Sequence, residues 1–130
     1  MKKMIIGACM LLGLGACSND KNAGNDAIAN EVATDQALRL NVFYTANDTA
    51  DSGKISEIAG KLVEASRNDA GCISYDCYQS VTVPGEFIIV ETWENDSLLD
   101  IHSNAPHFAE YVPQLQSLGN MRAERFYIDK

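Results

Sequence analysis

Basic residues and histidines are scarce in this chain of 130 residues. It contains 10 Lys and Arg against 18 Asp and Glu, and only two His, so its formal net charge is −8. An acidic surface repels phosphate groups, which disfavours nucleic acid and anionic lipid headgroups as partners. Two histidines are too few for a His-rich metal site, so we expect no metal. A Gly-rich phosphate loop and the HExxH, CxxC and GxSxG motifs are also missing from the sequence, which disfavours the enzyme classes that depend on them.

The chain has no apolar run near the roughly 20 residues that span a bilayer. Its apolar segment at residues 4–14 is shorter and follows Lys2 and Lys3, a layout that is typical of a signal peptide. The segment ends in Leu14-Gly15-Ala16-Cys17, which resembles the lipobox of bacterial lipoproteins. In those proteins the peptidase cuts before the cysteine, and the thiol carries a diacylglycerol. An ordinary secretory signal and the apolar start of a cytoplasmic protein are the alternatives.

This resemblance predicts a signal peptide at residues 1–16 and a lipidated Cys17. The protein is then expected in the cell envelope, anchored to a membrane through its N-terminal lipid. Ser18 occupies the position of the aspartate retention signal, which favours the outer membrane or its periplasmic face in a two-membrane bacterium. Removal of Lys2 and Lys3 with the signal peptide leaves 8 basic and 18 acidic residues, a net charge of −10.

Four cysteines occur in the chain, and two of them, Cys72 and Cys77, lie in one predicted strand. Five positions of regular strand would put them on opposite faces and about 16 Å apart, too far for a disulfide. We expect them to be small buried packing residues, with a catalytic thiol as the alternative.

The remaining sequence predicts a tether followed by one domain. Residues 17–37 are rich in Asn, Asp, Ala and Gly and show no sustained apolar period, which is typical of a flexible segment. Residues 38–130 form the predicted domain, and its apolar periodicity indicates strand, helix, strand, strand, two helices and a last strand. Pro84 and Gly85 suit the central positions of a type II turn, and Pro113 predicts a kink or break in the last helix. The expected elements are a strand at 38–45, a helix from 55, strands at 72–80 and 86–94, a helix through His102, a helix from Pro106 and a strand at 122–128.

This order of elements predicts an α+β, ferredoxin-like, split-βαβ antiparallel sheet. Helices in that arrangement cover one face of the sheet, yet Phe43, Ile88 and Val90 make the other face apolar too. An exposed apolar face of this kind favours a homodimer that packs sheet against sheet.

Three segments resemble the antibiotic biosynthesis monooxygenase family. Residues 70–76 (AGCISYD) are similar to its GC-x-x-Y entry to the second strand, and residues 90–95 (VETWEN) to its E-x-W third strand. Residues 99–108 (LDIHSNAPHF) are similar to its helical L-x-x-H … S-P-H-F segment, with Ala105 in place of the usual Ser. The resemblance implies a dimeric α+β barrel with a pocket between sheet and helices in each subunit.

Members of this family include quinol monooxygenases that use oxygen without metal, flavin or haem, and others isomerise or degrade small oxygenated metabolites. A further branch degrades haem with an Asn, Trp and His trio. Val112 occupies the position of that His in this chain, which argues against haem degradation.

His102 is the expected catalytic residue, as a general base towards a phenol-like hydroxyl, with a purely structural histidine as the alternative. Glu91 shares a strand face with Trp93 and is expected to pair with His102 or with an Arg of the last strand. The expected substrate-binding residues are Trp93, Asn41, Tyr75, His107 and Phe108. The alternative is packing for Trp93 and Tyr75, and solvent exposure for Asn41 and His107.

Together these features predict a cofactor-independent monooxygenase, tethered to the cell envelope, that acts on a small aromatic substrate of quinol or polyphenol type. The alternative is a non-catalytic envelope lipoprotein domain that binds a small aromatic metabolite or a partner protein.

Overall fold

A computed structural model describes residues 35–130. The predicted signal peptide, Cys17 and most of the tether lie outside these residues. Seven elements follow one another, with a single 3₁₀ turn before the first helix. They are β1 (Gln36–Ala46), α1 (Ser52–Ser66), β2 (Cys72–Gln79), β3 (Glu86–Trp93), α2 (Asp96–Ser103), α3 (Pro106–Leu118) and β4 (Gly119–Asp129).

The strands form one antiparallel sheet in the order β2-β3-β1-β4, which confirms the ferredoxin-like α+β fold. β1 lies inside the sheet and pairs with β3 and β4, while β2 and β4 lie at the edges. No helix within residues 35–130 is long and apolar enough to cross a membrane.

The face of the sheet that packs against the helices, here called the inner face, follows the predicted alternation. Leu38, Leu40, Val42 and Tyr44 of β1 lie opposite Trp93, Glu91, Ile89 and Phe87 of β3. These side chains meet the apolar sides of the helices, and the Tyr44 hydroxyl donates to the Leu115 carbonyl at 2.9 Å. The outer face of the sheet has Phe43, Ile88 and Val90 at its centre, as predicted.

The predicted placement of the two cysteines on opposite faces is wrong. A β-bulge interrupts β2 between Cys72 and Ser74, so that Cys72 pairs with Trp93 and Cys77 pairs with Ile89. Both partners lie on the inner face, and both thiols accordingly pack against the core without forming a disulfide. Burial raises the pKa of both thiols, that of Cys77 to about 11, so neither is a ready nucleophile near neutral pH.

The turn chemistry was predicted well, and the last helix less well. Gly85 has φ +81° and Glu86 N–H donates to the Val83 carbonyl, as a type II turn requires. Pro106 occupies the first turn of α3, and α3 then continues through Pro113 to Leu118 without a break. β4 begins at Gly119, three residues before the predicted start, because a paired partner is already available in β1 at Ala46.

Candidate functional site

A cavity of about 260 Å³ lies between the inner face of the sheet and helices α2 and α3. Leu40 and Val42 form its floor, and Leu99, Phe108 and Val112 contribute from the helices. Of its ten lining residues, Glu91 is the one with an ionisable side chain. Ser103 and Gln116 are its other polar lining residues. A mostly apolar cavity with a few converging polar groups is the usual form of a small-molecule site, and we name it the Glu91 pocket.

A larger depression of about 550 Å³ lies elsewhere, on the outer face around Arg39 and Tyr78. It is built on the apolar face that the sequence predicts to be covered by a second copy of the chain. The Glu91 pocket is the better candidate for chemistry, because it lies between sheet and helices and contains a buried titratable side chain.

Glu91 is 5% exposed, and its Oε2 accepts a hydrogen bond of 2.7 Å from the indole Nε1–H of Trp93. The two residues are two positions apart on β3, so both side chains leave the same face of the strand. Burial raises the pKa of the Glu91 carboxyl to about 7, although the indole donor acts in the opposite direction. A carboxyl group that titrates near neutrality can act as either acid or base.

The expected pairing of Glu91 with His102 or an Arg of β4 is therefore wrong. His102 is bonded to Asp69 instead, and Arg125, which follows the inner-face alternation of β4, forms an ion pair with Asp96 at 3.0 Å. The partner of Glu91 is instead the indole N–H of Trp93 on the same strand.

His102 is 1% exposed and belongs to a second polar group, here called the Asp69 cluster, formed by Asp69, His102 and His107. Its Nδ1 lies 2.6 Å from Asp69 Oδ2, and His107 Nε2 lies 3.0 Å from the same oxygen. Burial lowers the pKa of His102, which the neighbouring carboxylate partly offsets. Its Nε2 is buried without a hydrogen-bond partner among residues 35–130.

Four rings surround the His102 imidazole. The centroid of Trp93 is 4.6 Å away with the planes 33° apart, and that of Phe108 is 5.2 Å away. His107 and Tyr75 follow at 5.5 and 5.6 Å. Burial raises the pKa of the Tyr75 hydroxyl, which therefore stays neutral.

The structure thus brings together His102, Trp93, Tyr75, His107 and Phe108. Phe108 lines the Glu91 pocket as expected, whereas His102, Trp93, Tyr75 and His107 do not line it. Asn41 is not brought to this group, because it pairs with Val90 and Glu124 and so faces the outer side of the sheet.

Glu91 and Asp69 have roles in the structure that the sequence did not predict. Glu91 was expected in a structural partnership, although its position two residues before Trp93 predicted a shared face. Asp69 was not among the expected site residues. Its contact with His102 spans 33 positions, and nothing in the local pattern indicates it.

The chain is similar in sequence and structure to known proteins. The family model for antibiotic biosynthesis monooxygenase matches residues 40–114. Over 57 residues the chain is 39% identical to the uncharacterized protein sll1783 of Synechocystis, a match that covers 44% of this chain and 39% of that protein. Over 60 residues it is 28% identical to the Bacillus subtilis protein named "Putative monooxygenase YcnE", covering 46% of this chain and 63% of the other. The chain thus spans less than two thirds of these relatives.

A solved structure from Bacteroides thetaiotaomicron VPI-5482 matches over a longer stretch. It is a conserved protein of unknown function, described as a possible oxidoreductase, and is 38% identical with a TM-score of 0.69. The match covers 72% of this chain and 99% of that one, so nearly all of the described domain has a counterpart there.

Proposed function

The chain belongs to the antibiotic biosynthesis monooxygenase family, and on this premise we propose that it is a cofactor-independent monooxygenase that oxidises a small quinol or polyphenol-like metabolite in the Glu91 pocket. The observation that carries the proposal is one buried titratable side chain, Glu91, in a mostly apolar cavity. A pocket of about 260 Å³ suits one small aromatic ring system, and Phe108 offers a ring against which it can pack.

Glu91 supplies the acid–base chemistry in this proposal. As a carboxylate it accepts the proton of a substrate hydroxyl, and the resulting quinolate gives one electron to O₂. The semiquinone radical and superoxide then join at a ring carbon that carries hydrogen, and Glu91 returns its proton to the peroxide.

The second half of the reaction uses the same group. Glu91 takes the proton of that ring carbon while the O–O bond breaks, and the departing hydroxide takes the proton back from Glu91 to form water. One quinol and one O₂ thus give one hydroxyquinone and one H₂O, and the carboxyl group ends in its starting state.

His102 receives a positioning role instead of the role of base. Its ring stacks on Trp93, whose indole N–H holds Glu91, so His102 fixes the angle at which the carboxylate faces the pocket. Asp69 in turn holds the His102 ring.

Oxygen uptake by the full-length protein in detergent tests the proposal. We expect saturable uptake with some members of a panel of quinols and hydroxynaphthols, in the presence of a chelator and without added flavin. The rate should rise as the pH increases through about 7, because Glu91 must be ionised to act as base. Heavy-isotope oxygen gas should label one oxygen atom of the product and one of the released water.

Glu91→Gln keeps an acceptor for the Trp93 indole but cannot take a proton, so uptake should fall by about 100-fold or more. The same change at Glu64, which is exposed on α1, is the matched control and should leave uptake unchanged. Uptake that survives Glu91→Gln but disappears in His102→Gln would return the base to His102. Binding of these compounds to a folded protein with no uptake at all would support the alternative of a non-catalytic binding domain.

We also propose that the protein is a lipoprotein anchored in the cell envelope through Cys17. The support is the order of Lys2, Lys3, the short apolar segment and the Leu14-Gly15-Ala16-Cys17 sequence. In a Gram-negative host, labelled palmitate should enter the wild-type protein and the protein should fractionate with membranes. Cys17→Ala should lose both properties, whereas equal labelling of the Cys17→Ala protein would refute the assignment.

Finally, we propose a homodimer in which two outer sheet faces pack together. Phe43, Ile88 and Val90 support it, since each is only half-buried within one chain and together they form an apolar centre on a face without helices.

A further inference from the structure

The Asp69 cluster has no task in the reaction proposed for the Glu91 pocket beyond supporting Trp93. It joins three separate parts of the fold: Asp69 lies between α1 and β2, His102 in the last turn of α2, and His107 in the first turn of α3. One ligand atom from each residue lies within 4.8 Å of the other two. We propose that these three residues bind one divalent first-row transition cation, with Zn²⁺ as the representative ion.

A hydrogen-bonded Asp–His pair accounts for only part of this arrangement. His102 Nδ1 and Asp69 Oδ2 form such a pair at 2.6 Å. His107 Nε2 is different, because it is 3.0 Å from the same oxygen, buried, and not aligned with any hydrogen-bond partner among residues 35–130. A buried ring nitrogen that approaches a carboxylate without a formed hydrogen bond is costly to leave as it stands. A cation between the three groups would satisfy it.

The donor set selects the class of ion. Two imidazole nitrogens and one carboxylate oxygen suit Zn²⁺ and its first-row neighbours, whereas Ca²⁺ and Mg²⁺ prefer oxygen ligands only. Three protein ligands leave at least one coordination position for water.

The present distances require a small adjustment. Two ligands that are each about 2.1 Å from a tetrahedral ion stand roughly 3.4 Å apart, so Asp69 Oδ2 would move outward by less than about 1 Å. The two imidazole nitrogens, which lie within 4.8 Å of each other, must reach the same separation through a movement of His107. Asp69 can make this movement because it lies in a connection and its side chain is 22% exposed. His102 cannot move far, since aromatic rings enclose it, and therefore fixes the site.

The cation would join the α1–β2 connection to the ends of two helices, directly behind Trp93. We assign it no step in the oxidation, and the inference does not depend on the proposed activity. The proposal differs from the expectation of no metal, which was based on the small number of histidines. Asp69, 33 positions from His102, supplies the third ligand.

The chain contains a reporter for this site. Trp93 is its only tryptophan, and its ring centroid is 4.6 Å from that of His102. Co²⁺, which is paramagnetic, should therefore quench Trp93 fluorescence when it binds to the Asp69 cluster, and Zn²⁺ should displace it and restore the emission.

The experiment titrates chelator-treated full-length protein in detergent, first with Co²⁺ and then with Zn²⁺. We expect saturation at one ion per chain, confirmed by metal analysis. The bound Co²⁺ should lack the near-ultraviolet band of a thiolate ligand, which excludes the cysteines as ligands. His107→Ala removes a ligand nitrogen and Asp69→Asn replaces a carboxylate ligand with a neutral amide, so each should weaken binding by about 100-fold. Asp76→Asn removes a carboxylate that pairs with Arg67 at 3.0 Å, and this control should quench like the wild type.

Zn²⁺ should also raise the thermal unfolding midpoint of the wild type and of Asp76→Asn, but not that of His107→Ala. The inference is overturned if quenching does not saturate, or if His107→Ala and Asp69→Asn bind as tightly as the control. A thiolate band that accounts for all the bound Co²⁺ would overturn it as well. None of these measurements uses turnover, so an inactive protein could still bind the ion, and an active one could fail to do so.

Discussion

Glu91 combines deep burial with a single neutral hydrogen-bond donor, and this combination ties the stability of the fold to pH. The folded protein holds the Glu91 proton with a pKa of about 7, against an ordinary value of 4.5. The folded state therefore binds this proton more tightly than the unfolded chain does. The stabilisation that protonation gives is fully present below the ordinary pKa and is lost as the pH rises through about 7.

We expect Glu91→Gln to remove this dependence. Glutamine stays neutral, so the variant should match the wild type near pH 4 and exceed it at pH 8 by about 3 kcal/mol in free energy of unfolding. Urea unfolding at both pH values measures the difference. Glu64→Gln, the same change at an exposed position of α1, should retain the wild-type dependence. Equal slopes for Glu91→Gln and the wild type would show that the buried carboxyl group does not carry the effect.

At the same scale, the sequence predicted which side chains gather but not what each one touches. The motifs placed Trp93, His102 and Phe108 near one another, and the strand alternation placed Glu91 beside Trp93. Hydrogen-bond partners depend on side chains from distant segments, and the Asp69 contact with His102 had no local signature. Asn41 was expected to bind substrate, although the alternation of β1 with Leu40 and Val42 places it on the face away from the helices.

Among the elements, the errors arose where one residue departs from the regular period. A single extra residue in β2 places Cys77 on the inner face, whereas regular alternation from Cys72 predicted the outer face. No feature of the local composition marks the bulge at Ile73. Pro113 predicted an interruption of α3, yet the helix continues because Val112 and Leu115 are held in the core on either side. Tertiary packing thus offset a local conformational cost.

Gly71 is an element-scale feature that the motif did predict, though for a reason that only the structure supplies. Its φ is +75°, and a Cβ there would stand 2.2 Å from Leu98 Cδ1. The turn into β2 therefore needs both a left-handed backbone and a missing side chain, because α2 crosses closely at this point. The same turn sets the position of Asp69 against the two helices.

For the whole molecule, the order of elements was enough to predict the topology, since short connections and antiparallel pairing leave few alternatives. The first residues of the strands were predicted less well. β1 and β4 both begin earlier than predicted, because they pair with each other along their full lengths. The proposed dimer belongs to this scale as well.

Val90→Asp should convert the proposed dimer to a monomer, because a charge would be buried at the centre of the outer face. Light scattering after size-exclusion chromatography measures the mass, with the detergent contribution subtracted. Ile101→Asp is the matched control, since Ile101 is 63% exposed on α2, on the helical side of the sheet. It should remain dimeric. A monomeric wild type, or a dimer that persists in Val90→Asp, would contradict the outer-face assembly.

The position of β2 and β4 at the two ends of the sheet has a consequence for aggregation. Each end strand leaves one row of backbone donors and acceptors without a neighbouring strand among residues 35–130, and such rows can recruit strands from other chains. β4 carries Arg122, Glu124, Arg125 and Asp129 along its length, and β2 is bent by its bulge. Charges and bulges both oppose strand addition, so the sheet resists extension into a fibre, while the apolar centre of its outer face lies away from both end strands.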